Sequence, residues 1–366
     1  MIYEAIRSGL DFCLKHQVVN ENSADYGRFP LLYDVKEKSI ESMSTNWETG
    51  VMIEVMLIAY KFLKDDRYLS SAEMAVNYLK SLQVFSPFDD INKGVFREIT
   101  PQTNWAHPRD ALTAAWALLD FSITVNDKEA FTRSKLYADW FCDIGIEKGY
   151  PYWTVRFDDE PWSPEFCGSF HSGGAFYFGK LYKVTGEKKY FDVMCQILDF
   201  YNKNHLDEHG QISVVLDRIT LEILDGRGLT TRWWEEMHIY NDDFGTLANL
   251  FAYSLTKKTE YLDASKYFLK RMSEIQRCDG GFGPDNYSVP SAAGVVVVEM
   301  LKAKDMGCSF IGDAVINRAV ERILEMQEVS YGVFLSEGNK SNIRTGAYSL
   351  MALLRAAGAK DEYYSF

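Results

Sequence analysis

Apolar residues recur at three- and four-residue spacing over long windows of the chain, and strict alternation is scarce. The spacing predicts twelve helices, over 2–16, 47–63, 67–83, 108–125, 128–144, 170–185, 187–203, 242–257, 259–276, 291–306, 311–328 and 345–358. The even-numbered ones are apolar nearly all round and rich in small residues, as in TGVMIEVMLIAY, ALTAAWALLDF, SGGAFYFGKLY and SAAGVVVVEML. A helix apolar on every side must be buried on every side. The odd-numbered ones carry a charged face, as in RYLSSAEMAVNYLKSLQ and AVINRAVERILEMQ.

The connections alternate too. Helices two, four, six and eight run into short, similar turns, KDDRYL, NDKEAF, TGEKKYF and TKKTEYL, each placing an aromatic (Tyr68, Phe131, Tyr190, Tyr261) just inside the next helix. The other connections are long and lie on one side. A helix–long loop–helix–short turn unit repeated six times is an internal repeat. Six hairpins with buried inner and amphipathic outer helices predict an all-α (α/α)6 toroid, formed as one domain over 1–366. An open α-solenoid is the alternative, with loops that are rarely this long on one face.

Composition narrows the partners. There are 39 Lys and Arg against 52 Asp and Glu, a net charge of −13, which argues against a nucleic-acid binder because phosphate needs a basic stripe. Cys13, Cys142, Cys167, Cys195, Cys278 and Cys308 are spread without any CxxC pair, so no disulfide framework and no metal site is expected. No apolar run is long enough for a membrane span, and the first residues lack a leader pattern. The expected location is therefore cytoplasmic, or periplasmic if a leader was removed.

In such a ring the long loops gather where the inner helices begin, and rigidly held loops carry function. The six segments there are STNWETG, NWAHPRD, EFCGSFHSGG, WWEEMHIYNDDFG, GPDNYSVPSAAG and NKSNIRTGAY, dense in aromatic, acidic and hydrogen-bonding residues. Catalytic candidates are Glu48, Asp110, Glu236 and Asp243. Binding candidates are Trp47, Trp105, His107, Arg109, His171, Trp233, Trp234, His238, Tyr240, Asp285 and Arg344. Structural roles compete with these. Glu48 and Asp110 suit the positive end of a helix, one of Asp242 and Asp243 suits an N-cap, and one of Glu235 and Glu236 must face away. Carboxylates beside tryptophans suit glycosidic-bond chemistry, which needs a proton donor and a second carboxylate. Arginines beside them (Arg28, Arg109, Arg156, Arg232, Arg344) suit a sugar carboxylate.

The stretch GRFPLLYDV…STNWETGVMIEVMLIAYKFLKDDRYLSSAE, with its Trp47-x-x-Gly50 start to the first inner helix and the recurring turn-plus-Tyr, resembles the six-hairpin glycosidases, in particular the unsaturated glucuronyl hydrolases. The resemblance implies an (α/α)6 barrel and metal-free, cofactor-free carboxylate catalysis on uronic-acid-containing saccharides. It matches Asp110 in HPRDALTAAW to their aspartate near the start of an inner helix. Their His-Asp-x-Gly-Phe and Trp-Ala-Arg-Gly segments are not found, and NDDFG at 241–245 is a partial echo of the first. The expectation is a glycoside hydrolase acting on glucuronide-type oligosaccharides, with no nucleic-acid or membrane partner. The alternative is a polysaccharide lyase or sugar epimerase using Tyr240, His238, His171 and Asn241. QRCDGGFG has the flavour of isoprenoid transferase repeats but occurs once, without an Asp-rich motif.

Overall fold

The computed structural model describes residues 1–85, 91–158, 162, 163, 165–308 and 311–364; the side chains at 167, 169–171, 363 and 364 lie outside that description. Among these residues are α1 (Ile2–His16), α2 (Asn46–Leu63), α3 (Asp66–Leu82), α4 (Pro108–Val125), α5 (Lys128–Trp140), α6 (Gly168–Thr185), α7 (Lys188–Asn204), α8 (Arg232–Tyr240), α9 (Gly245–Thr256), α10 (Thr259–Ile275), α11 (Ala292–Asp305), α12 (Asp313–Glu325) and α13 (Ile343–Ala356). All but α8 correspond to the twelve helices expected from the spacing.

The inner ring runs α2, α4, α6, α9, α11, α13, each packed on the next, and α13 packs back on α2 to close it. Helices α3, α5, α7, α10 and α12 lie outside against their hairpin partners, and α1 packs on α13. The fold is an (α/α)6 toroid. Small residues let the inner helices approach: a Cβ on Gly50 of α2 would stand 2.9 Å from the Thr113 carbonyl oxygen of α4. The short turns share one mechanism. Inner helices α2, α4, α6 and α9 leave through a left-handed residue, Lys64, Asn126, Gly186 and Lys257 in turn, all with φ between 57° and 73°. In two of them an aspartate then caps the next helix: Asp65 accepts from Arg67 N, and Asp127 from Glu129 N and Ala130 N. The turn tyrosines Tyr68, Tyr190 and Tyr261 are buried. Tyr190 donates to Asp139 of α5 and Tyr261 to Asp199 of α7 (2.8 Å), tying neighbouring outer helices together.

Three features differ from the sequence reading. Helix α5 stops at Trp140 and continues as a π-turn over Phe141–Gly145, with the ring of Trp140 packed on Gly145. Helix α8 is inserted in a segment expected to be loop. Short strands line the rim: Pro30–Asp34 pairs with both Ser39–Met43 and Lys340–Asn342, joining the two ends of the chain, and Trp105–Ala106 pairs with Val155–Arg156. No helix among the described residues is long and apolar enough to cross a membrane.

The interior below the rim holds a buried charge cluster. Lys180 of α6 is bonded to Asp120 of α4, which also accepts from Trp116 Nε1 at 2.6 Å. Burial pushes the nearby Glu54 of α2 up to about 7, against the pull of Lys180 and Lys61. The folded chain therefore keeps a proton that the unfolded chain releases near the ordinary carboxylate value, so this group lowers stability as pH rises between the two. Glu54→Gln removes that loss. Its urea midpoint should gain on the parent's as pH is raised from about 5 to about 7, and a constant difference across that range contradicts the assignment.

Candidate active site

Four starts of inner helices place their first turns at one funnel. At α2, Thr45 and Glu48 form a capping box: the Thr45 side chain takes the Glu48 backbone N–H while Thr45 N donates to Glu48 Oε2 at 2.7 Å. The same Glu48 lines the funnel, so the capping role and the site role coincide. At α4, Pro108 occupies the first helical position and Asp110 the third. Arg109 Nε lies 3.3 Å from Asp110 Oδ1, and its guanidinium stands 4.5 Å from the ring centre of Trp153 and 5.7 Å from that of Trp234. At α13, the Arg344 guanidinium covers Trp47 at 4.3 Å.

The start of α9 is strained. Asp243 and Phe244 have φ of 46° and 70°, consecutive left-handed conformations on residues with a Cβ. The bend divides the aspartate pair. Asp242 turns inward and caps α9, accepting from Thr246 N (2.7 Å) and Thr246 Oγ1 (2.8 Å), and it hydrogen-bonds Glu299 of α11. Asp243 turns to the funnel. Its Oδ1 accepts from the Tyr348 hydroxyl at 2.7 Å, and its Oδ2 lies 3.5 Å from His238 Nδ1 and 3.8 Å from Arg344. Opposite α9, the chain at Gly173 has no room for a Cβ, which would collide with the Asp243 carbonyl oxygen. Glycine backbone therefore forms part of the wall beside Asp243, in a small hollow lined also by Trp47, Arg109, Gly174 and Tyr348.

Desolvation dominates the electrostatics. Burial raises Asp243, with Arg344 and Tyr348 pulling the other way and Asp110 adding to the rise. Burial raises Glu48 as well, opposed by its bonds to Thr45 and helped by Asp110. Burial and the charges of Arg344 and Arg109 push His238 well below its usual value, so it is neutral. His107 is lowered for the same two reasons, burial and Arg109. Its Nδ1 lies 2.9 Å from the Trp153 carbonyl oxygen, and the ring stacks edge-on with Trp105. Arg344 keeps its charge despite burial because Asp243, Tyr348, Glu48 and Asp110 surround it.

Some candidates fall elsewhere. On α8, Trp234, Met237 and His238 face the funnel, so Glu236 points to the opposite side. There it is held by Arg232 (2.7 Å) and the Tyr287 hydroxyl, which keep it ionised, near Tyr240 and the exposed Asp285. Glu235 is buried and accepts from Gly226 N (2.9 Å) and Thr230 Oγ1 (2.7 Å). Trp233 and Trp234 line a cavity of about 600 Å³ that runs from Glu48 and Arg344 to Lys340 at the rim. The side chain of His171 lies outside the described residues. Arg28 is structural, donating to Ser44 O and Met43 O, Arg156 pairs with Asp158 at the surface, and Arg232 is the partner of Glu236. A wider groove of about 770 Å³ lies on the outer flank between α7 and residues 218–221, away from all of these residues.

Three funnel residues were not expected. Tyr348 reads in sequence as core of the last inner helix. Trp153 sits in the aromatic run YPYW and is brought over the funnel by the pairing of Val155–Arg156 with Trp105–Ala106. Glu98, in VFREIT, is buried beneath Asp110. Its carboxyl accepts from His107 N (3.1 Å) and Asn46 Nδ2 (3.4 Å) and hydrogen-bonds Asp110.

This constellation sits on a toroid of six hairpins, and known structures share it. No protein-family model matches the chain, and no curated protein matches its sequence. The Lin0763 protein from Listeria innocua superposes with a TM-score of 0.73 at 16% identity, over 98% of this chain and 97% of that one. The alpha-1,6-mannanase GH76A of Salegentibacter sp. HEL1_6 gives 0.70 at 14%, over 98% and 100%. Cellobiose 2-epimerase from Bacillus thermoamylovorans gives 0.73 at 11%, over 96% and 98%. These likenesses show the (α/α)6 toroid fold, and not the narrower likeness to unsaturated glucuronyl hydrolases.

The division of labour at α9 is testable by stability. Asp242→Ala removes a helix cap and should cost about 1 kcal/mol of unfolding free energy. An unchanged denaturation midpoint contradicts the capping role.

Proposed function

We propose that the protein is a glycoside hydrolase that cleaves oligosaccharides at this funnel, with Asp243 as general acid and Asp110 as the second carboxylate. The observation that carries the reading is the strained turn at Asp243–Phe244. Left-handed geometry on two side-chain-bearing residues costs roughly 1–3 kcal/mol each and gathers at functional sites. Here it aims one aspartate at the funnel and leaves its neighbour to cap the helix. Burial favours the protonated form of Asp243, which suits a group that must give a proton to the leaving glycosidic oxygen. Asp110, with the Arg109 guanidinium on it, serves the anomeric-carbon side as that bond breaks and water adds. Trp47, Trp153 and Trp234 offer flat faces to sugar rings. Two solved relatives in fold act on saccharides by name, and an inactive variant of the mannanase with two consecutive aspartates replaced is in complex with alpha-1,6-mannotriose.

The geometry favours a neutral sugar over the uronic acid that the sequence suggests. The arginines that would grip a sugar carboxylate are each committed to an aspartate, Arg109 to Asp110 and Arg344 to Asp243.

The direct assay is incubation with manno-, gluco- and glucuronide-type oligosaccharides, followed by mass and reducing-end analysis. Cleavage of a neutral oligosaccharide is expected. Isomerised sugars of unchanged mass, with no cleavage of any substrate, overturn the reading in favour of an epimerase. Asp243→Asn keeps the left-handed turn, because asparagine tolerates it, and should lower kcat by about 10²–10⁴-fold at unchanged Tm. Full activity in that variant removes Asp243 from the chemistry.

The pH profile gives an independent check. Arg344 holds the Asp243 carboxyl down, so Arg344→Met should raise it further and move the alkaline limb of the rate profile to higher pH. A shift to lower pH contradicts the assignment of that limb to Asp243.

A further inference from the structure

The funnel contains a carboxyl for which the proposed chemistry has no use. Glu98 lies on the loop between α3 and α4 and is 3% exposed. Its main chain is fixed on both sides, with its N–H donated to Trp105 O (3.2 Å) and its carbonyl accepting from Asn46 N (3.1 Å). Glu98 thereby links the first residue of α2 to the segment that starts α4. Its side chain is placed with equal care. One oxygen, Oε2, accepts from His107 N, the cap position of α4, and from Asn46 Nδ2. The carboxyl also hydrogen-bonds Asp110. Two carboxylates cannot hydrogen-bond each other without a proton, since each can only accept.

The surroundings decide which of the two holds it. Burial, the Asp110 charge and the Glu48 charge all raise Glu98 well above the carboxylate range, against the pull of the His107 N–H. Asp110 has Arg109 Nε at 3.3 Å on its other side. The charged groups acting on Glu98 are Asp110 and Glu48, with Arg109 on the far side of Asp110 and Arg28 and Asp25 further off beside Tyr78. The one imidazole nearby, His107, is lowered and uncharged.

We infer that Glu98 is a positioning residue for Asp110: a protonated carboxyl that donates its hydrogen to an Asp110 carboxyl oxygen, fixing that side chain's orientation. No bond of the substrate is made or broken by Glu98. Its link to catalysis rests on the glycosidase reading above, whereas the shared proton does not.

Glutamine separates this role from the alternatives. An amide in place of the carboxyl still accepts from His107 N and Asn46 Nδ2 through its oxygen and still donates to Asp110 through its NH2. Glu98→Gln should therefore keep kcat and the pH profile within about twofold of the parent, whereas Glu98→Met, which cannot donate, should lower kcat by about 100-fold and shift the acid limb upward. A loss in Glu98→Gln equal to that in Glu98→Met overturns the inference and makes Glu98 a proton-transfer group. Full activity with an unshifted acid limb in Glu98→Met also overturns it. Carboxyl-13C NMR of glutamate-labelled protein tests the proton without any substrate. The resonance missing in Glu98→Gln should have the shift of a protonated carboxyl at pH 7. A carboxylate shift there overturns the inference even if the enzyme is active, and a protonated shift sustains it even if no glycoside is cleaved.

Discussion

An inner helix of this ring has no face turned to water. Helix α2 is packed between α3, α4 and α13, and α11 between α9, α10, α12 and α13, and nearly every side chain over Val51–Ala59 and Ala292–Ala303 is buried. Apolar residues must therefore fill these helices, and polar groups collect at their ends, where the backbone N–H groups of the first turn lack partners within the helix. Four such ends, those of α2, α4, α9 and α13, face one funnel. The capping box at Glu48, the first-turn Asp110 and the cap at Asp242 each answer the local need of a helix N-terminus, and the first two add to the funnel's acidity.

What turns caps into a site is desolvation with few counter-charges. The funnel holds Glu48, Glu98, Asp110 and Asp243 around two guanidiniums, Arg109 and Arg344, each laid against tryptophan. So many buried carboxyls cannot all be charged. Burial raises Glu48, Glu98 and Asp243, and the arginines settle beside aspartates. Chemically alike groups thus stand in unlike surroundings, which is the condition for acid and base to work side by side. The wide flank groove near Arg218 has volume without this property: Arg218 is paired with Glu147, and Lys148 and Lys203 stand exposed.

Much of this was legible in the sequence because its causes are local. Helical periodicity, all-round apolarity and the turn-plus-Tyr repeat gave the twelve ring helices and their inner and outer placement. Glu48, Asp110 and Asp243 could be found because helix starts carry recognisable signals, Thr45 three residues before Glu48 and Pro108 two before Asp110. The split between Asp242 and Asp243 depends on a left-handed turn that no residue type there announces. Glu236 was misjudged because RWWEEMHIY reads as loop. Once α8 is a helix, its period puts Trp234 and His238 on the funnel and Glu236 behind them. Glu98 and Trp153 belong to long loops whose paths are set by tertiary contacts, the bonds to Asn46 and His107 for one and the pairing with Trp105–Ala106 for the other. The uronate expectation counted arginines without their partners.

The central claim is that a sugar is processed between Asp243 and Asp110. A crystal structure of Asp243→Asn with a bound oligosaccharide tests it most directly. The account predicts a glycosidic oxygen within hydrogen-bond distance of residue 243 and the attached anomeric carbon facing Asp110, with the rest of the chain along Trp234 toward Lys340. Saccharide bound only in the flank groove between α7 and residues 218–221, with the funnel left empty at saturating ligand, would contradict it.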